Sequence, residues 1–170
     1  MSRKPLINKV ANKAIIQIDL ESFIPKATDI VAFDIKGFLF KEMLLKEKDF
    51  RETLKEYNFS ELKSKYVYLY CSNAAIIPLW AYMLLTTYIQ PIAKSVLFAK
   101  DLKTAEEKFV LEAIENVDLE LYKNKRIVVK GCGKKQLSPI VYTSLVCKLQ
   151  DVVKTIMFGE ACSMLPVFKK

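Results

Sequence analysis

A chain of 170 residues that is 52% hydrophobic is sized for one domain with a substantial core. It contains no histidine, which excludes Ser-His-Asp and Cys-His catalysis and any imidazole metal ligand. The net charge of +8 comes from lysine spread along the chain, with arginine only at Arg3, Arg51 and Arg126. Bidentate recognition of phosphate or guanine favours arginine, so no specific nucleic-acid binding is expected.

The N-terminal stretch MSRKPLINKVANKA develops no uninterrupted apolar run of the kind that secretion needs. Four cysteines without such a signal point to a reducing, cytoplasmic setting, where free thiols or metal thiolates prevail over disulfides.

Taken in chain order, AIIQIDLESFIP (14–25) alternates apolar residues at Ile16, Ile18 and Leu20, which predicts a strand at a sheet edge. Residues 1–25 are thus an N-terminal arm or edge strand. Ile30–Phe33 is a short apolar run that ends in Asp34. KEKDFRETLKEYNF (46–59) puts Phe50, Leu54 and Tyr57 on one helical face, and Tyr66–Tyr70 reads as a strand leading to Cys71. Residues 73–93 carry no charge and are long enough to span a bilayer. Pro78, Pro91, Asn73 and Gln90 argue instead for a helix packed on a sheet, so no membrane contact is expected. Val96–Phe98 is the next strand. AEEKFVLEAIENV (105–117) follows as a helix, with Thr104 as its cap and Glu107 completing a capping box. Ile127–Val129 and Ile156–Phe158 are strands on either side of PIVYTSLVCKLQDVV, whose proline suits a first helical turn. Cys147 falls on an apolar stretch of that helix and reads as core, and the tails read as loops.

Part of this order recurs. Cys71 precedes Pro78 by seven positions, as Cys132 precedes Pro139. Lys94-Ser95 before Val96-Leu97-Phe98 returns as Lys154-Thr155 before Ile156-Met157-Phe158. The reading is a single α/β domain over 1–170, three layers deep. Its mostly parallel sheet is built from a duplicated β-α-β-α unit (about 46–98 and 105–158) plus a final strand.

Ligands of open parallel sheets bind beyond the carboxyl ends of the strands. Asp34, Cys71, Lys100, Asp101, Cys132, Glu160 and Cys162 fall there, and Gly131, Gly133 and Gly159 cluster around the last two cysteines. Zinc would take Cys71, Cys132 and Cys162, with Glu160 as a fourth ligand. An iron–sulfur cluster would take the same three thiolates. The intervals of 61 and 30 residues match no local metal motif, so only the fold can bring the three together. Small buried hydrophobes are the ordinary alternative for free cysteines. Asp34 would bind a metal or cap the following turn. Cys132, in KGCGKK, also suits an activated thiol, although no histidine base or phosphatase-type arginine accompanies it.

The blocks FDIKGFLFKEMLLKEKDFRETL (33–54), YCSNAAIIPLWAYMLL (70–85), KGCG (130–133) and KTIMFGEACSMLPVFKK (154–170) resemble the bacterial proteins catalogued as domain of unknown function 2480. No established activity comes with that resemblance. It implies an association with iron–sulfur assembly, and so favours the thiolate reading of Cys71, Cys132 and Cys162.

The expectation is therefore a cytoplasmic accessory protein that binds a metal or iron–sulfur centre through these cysteines, with iron–sulfur assembly proteins as partners. The alternatives are a non-catalytic protein-interaction module with structural cysteines, or a thiol-dependent enzyme using Cys132.

Overall fold

The computed structural model describes residues 15–131, 133–160 and 163–170. The chain forms two compact α/β units, one of residues 24–112 and the other of residues up to 23 together with 113–170. Their seven described strands are β1 (Ile15–Ile18), β2 (Ile30–Asp34), β3 (Tyr66–Tyr70), β4 (Ser95–Phe98), β5 (Arg126–Val129), β6 (Thr155–Glu160) and β7 (Ser163–Lys169). The α-helices are α1 (Glu47–Glu56), α2 (Leu79–Ile89), α3 (Leu102–Glu115) and α4 (Pro139–Leu149).

Residues 24–112 build a wholly parallel sheet in the order β2-β3-β4. Its layers follow from alternation along β3, where successive side chains point to opposite faces. Val67 and Leu69 meet α1 and α2 in a core of Phe33, Phe50, Leu54, Leu85 and Ile89. Tyr68 turns the other way, with Tyr66 and Tyr70 beside it, onto Ala105 and Phe109 of α3. Helix α1 buries Phe50 and Leu54, four residues apart, and exposes its charged remainder. Helix α3 starts after Asp101, whose carboxylate accepts the Thr104 N–H at 2.7 Å. Asp101, not Thr104, is therefore the cap.

The other unit holds a mixed sheet in the order β1-β5-β6-β7. β1, β5 and β6 run parallel, and β7 returns antiparallel along β6. Helix α4 connects β5 to β6 and buries Val141, Leu145 and Leu149, an i, i+4, i+8 stripe. The expected edge strand near the N-terminus is present as β1.

The expectation of one sheet is corrected. Parallel neighbours need a crossover of a dozen or more residues. Between Ile18 and Ile30 the chain makes only two 3₁₀ turns, Leu20–Phe23 and Ala27–Asp29. So β1 pairs with distant β5, and β2 opens a separate sheet. The C-terminal tail is a second correction, because it forms β7 instead of a loop. Pro166, which argues against a strand, lies opposite Met157 at a register shift of an edge strand, where its missing N–H is tolerated.

Candidate functional site

In the unit of residues 24–112, the carboxyl ends of β2 and β3 converge on Asp34. Its Oδ1 accepts the N–H of Lys36 at 2.9 Å and that of Ser72 at 3.1 Å. The first bond caps the 3₁₀ turn Ile35–Phe38, and the second ties the end of β2 to the loop that leaves β3. Partial burial pushes the Asp34 carboxyl up, but the hydrogen bonds from Ser72 and Lys36 outweigh it and hold it below the ordinary value. Capping is thus the observed role of Asp34.

Around it, Lys36 Nζ pairs with Glu42 at 2.9 Å, and that bond raises the lysine above its usual range. Cys71 lies just past β3, half-buried, and donates its thiol to the Asn73 Oδ1 at 2.9 Å. The same oxygen accepts the Ala75 N–H, and the Asn73 amide donates to the Glu42 carbonyl. Burial holds the Tyr82 phenol above its usual value, with the charges of Cys71 and Asp34 adding to the effect. Of these groups, Asp34, Lys36, Cys71 and Asn73 are engaged in loop contacts.

In the other unit the same strand end carries Asp19, directly after β1. It accepts the Glu21 N–H at 3.0 Å, and its Oδ2 takes Lys130 Nζ at 2.9 Å. The lysine's hydrogen bond holds Asp19 below the usual carboxylate range and raises Lys130 in turn. The Glu21 carboxylate accepts the Lys135 N–H and lies against Gly133, where an added Cβ would displace it. Beside this lies a groove of about 680 Å³ between α4 and the strands, lined by Val129, Leu137, Tyr142, Cys147, Phe158 and Val167. Its size falls within the range of small-molecule sites.

The residues expected to hold a metal are distributed as follows. Cys71 directly follows β3 and Asp34 ends β2, both in residues 24–112, whereas Glu160 is the last residue of β6 in the other unit. Cys132 and Cys162 lie outside the described residues. Among the described residues no group of three or more His, Cys, Asp or Glu side chains could hold a metal ion. Lys100 and Asp101 follow β4 as expected, with Asp101 spent on the α3 cap. Cys147 is corrected. It is exposed, because the buried stripe of α4 runs through 141, 145 and 149 and leaves 147 off that stripe, where it lines the open groove.

Asp19 was missed. The signal was legible in the paired segments IIQIDLESF (15–23) and IVAFDIKGF (30–38), each with an aspartate after an apolar strand and a phenylalanine four residues on. The outer face of α2 was also missed. Ile76 is 90% exposed, Leu79 81% and Met83 71%, beside the buried stripe Ala81, Leu85 and Ile89. No helix among the described residues is long and apolar enough to cross a membrane.

The family model described as Protein of unknown function (DUF2480) matches residues 4–170. No curated protein and no solved structure matches the chain.

Proposed function

The chain belongs to the family of proteins of unknown function DUF2480, and from that premise we propose that it is a non-catalytic protein-interaction module. One observation carries the reading: the uncharged helix α2 and its entry loop turn Ile76, Leu79 and Met83 outward at 71–90% exposure. Met43 and Leu44 are exposed on the loop that Asn73 fastens through Glu42. Neighbouring exposed apolar side chains of this kind mark interaction sites. The strand-end chemistry supports the same reading, since Asp34, Cys71 and Asn73 are all engaged in loop contacts. The partner implied is a protein with an apolar, uncharged face.

The test is a photo-crosslinking amino acid placed at Met83, with the exposed Glu61 as the control position. The expected result is one defined adduct from position 83, whether to a second copy or to another protein. An equal smear from both positions, or no adduct, would end the reading.

The thiolate reading has its own support. β5 and β6 are adjacent and parallel, with Val129 opposite Phe158, and these strands lead in sequence to Cys132 and Cys162. On this reading zinc or an iron–sulfur cluster would take those thiolates with Glu160 nearby in sequence, in an accessory role to iron–sulfur assembly proteins. Anaerobic purification followed by metal and sulfide analysis decides it. Loss of stoichiometric metal in Cys132→Ser and Cys162→Ser is expected, and metal-free wild-type protein would rule it out.

The two units also read as copies of one design. Ser64 and Asn124 both take a left-handed conformation, and their N–H groups donate to Ile92 and Val152 at 2.8 Å. Strands β3 and β5 begin at 66 and 126, and helices α2 and α4 at 79 and 139. This spacing matches Cys71 with Gly131 and Ser72 with Cys132, one residue away from the alignment read on the prolines.

A further inference from the structure

The positive charge is unevenly divided. Residues 24–112 carry 13 Lys and Arg against 12 Asp and Glu, whereas the rest of the chain carries 14 against 7. Much of that excess gathers at one edge of the mixed sheet. Arg126 opens β5 opposite Thr155 of β6, and Thr155 pairs with Lys169 of β7. One step further out, Lys154 donates its backbone N–H to Lys125 at 2.8 Å, and Lys170 donates to Lys154 at 3.0 Å. Strands lie about 4.8 Å apart, so Lys125, Arg126, Lys154, Lys169 and Lys170 share an edge about 10 Å across three strands. Among the described residues none of the five makes an ion pair. The Lys170 ammonium reaches only the backbone carbonyl of Asp151.

The other unit supplies a built-in comparison. There Lys94 donates its N–H to Lys65 at 2.8 Å in the same way. Yet Lys65 Nζ is answered by the Thr28 carbonyl at 2.8 Å and Asp29 at 3.3 Å, and Lys94 lies over the Tyr66 ring. The residue before β2 is Asp29, whereas the residue before β1 is Ala14. The carboxylate that answers Lys65 in one unit has no counterpart on Lys125 among the described residues of the other.

We propose that this edge, with the outward side chains of β7 beside it, docks an acidic segment of a partner protein. Close-set like charges that make no ion pair attract an anionic partner and steer its approach. Leu165 and Val167, 67% and 51% exposed, lie on the strand that ends in Lys169. Apolar contacts bordered by charge are the make-up of a protein interface. Nucleic acid is disfavoured because four of the five cations are lysines, which lack the bidentate fork of arginine. The edge uses no residue of the α2 face, so its test and the crosslinking test fail separately.

The experiment titrates the full chain against fluorescein-labelled poly-L-glutamate, with polyuridylate RNA and phosphatidylserine vesicles as parallel arms. Binding to polyglutamate should weaken steeply with salt and fall about tenfold or more in Lys125→Glu/Lys154→Glu/Lys169→Glu. The neutral Lys→Gln triple should fall less, and Lys65→Glu/Lys94→Glu should bind as the wild type does. Thermal melts confirm that each variant is folded. Absence of polyglutamate binding at low salt, an equal loss in the Lys65/Lys94 variant, or tighter binding to RNA or vesicles would each overturn the proposal.

Discussion

The Asp34 carboxylate accepts the backbone N–H of Ser72 at 3.1 Å across 38 positions of sequence, fastening the end of β2 to the loop beyond β3. The same oxygen holds the Lys36 N–H, so one side chain organises both loops at this end of the sheet.

Replacing it should show in the acid limb of stability. A carboxyl held below its unfolded pKa contributes stability that is present above about pH 4 and lost as pH falls through the folded value. Asp34→Asn should therefore lower stability near neutral pH by about 1 kcal/mol, discounted for its partial exposure. It should also flatten the fall in stability as the pH drops below about 4. Urea midpoints measured across that range check both. An unchanged acid limb would show that Asp34 is not the coupled group.

Helix positions of opposite exposure should respond oppositely to truncation. Phe50 is fully buried between α1 and the sheet, touching Phe38 and Trp80 edge-on. Phe50→Ala should cost about 3–5 kcal/mol. Leu79→Ala, at 81% exposure, should change stability by no more than about 0.5 kcal/mol. Chemical denaturation of the two variants provides the comparison, and a large loss at Leu79 would mean that its face is covered.

The thiols should differ in reactivity. Cys147 is exposed on the wall of the 680 Å³ groove, whereas Cys71 is half-buried and donates to Asn73. N-ethylmaleimide labelling of native protein, followed by peptide mapping, should modify Cys147 several-fold faster than Cys71. Equal rates would contradict the exposure difference. Asn73→Ala should speed labelling of Cys71 and leave Cys147 unchanged.

The hairpin of β6 and β7 depends on Gly159, whose φ of +126° lies in the region that favours glycine. A Cβ there would meet the Ser163 carbonyl oxygen at 2.3 Å. Gly159→Ala should cost about 1–3 kcal/mol. It should also raise amide exchange in β7 more than in β3. Uniform exchange across both strands would show that the hairpin does not respond as a local unit.

Much of the secondary structure could be read from periodicity alone. Tyr66–Tyr70 is apolar on both faces because both faces are covered by helices, and such a run signals a buried parallel strand. β7 escaped because Pro166 is a strand breaker unless it lies on an edge, and edges are decided by pairing. The sequence of helix α2 predicts packing on a sheet but does not tell its two faces apart, because apolar side chains occur all round it. Only packing distinguishes Leu85 at 0% exposure from Met83 at 71%. Cys147 was misplaced for the same reason. The basic edge was hidden because Lys125, Lys154 and Lys170 are far apart in sequence and become neighbours only through strand register.

By itself the chain determined an α/β composition, the placement of six of the seven described strands and all four helices, the absence of imidazole chemistry and the capping aspartate Asp34 at the end of an apolar strand. These are local properties, set by the period of side-chain burial and by the chemistry available to each residue. The tertiary structure decided that the strands form two sheets, that β1 joins β5, and that the unanswered lysines meet at one edge. Pairing across a hundred residues depends on crossover length and register, which no local pattern encodes.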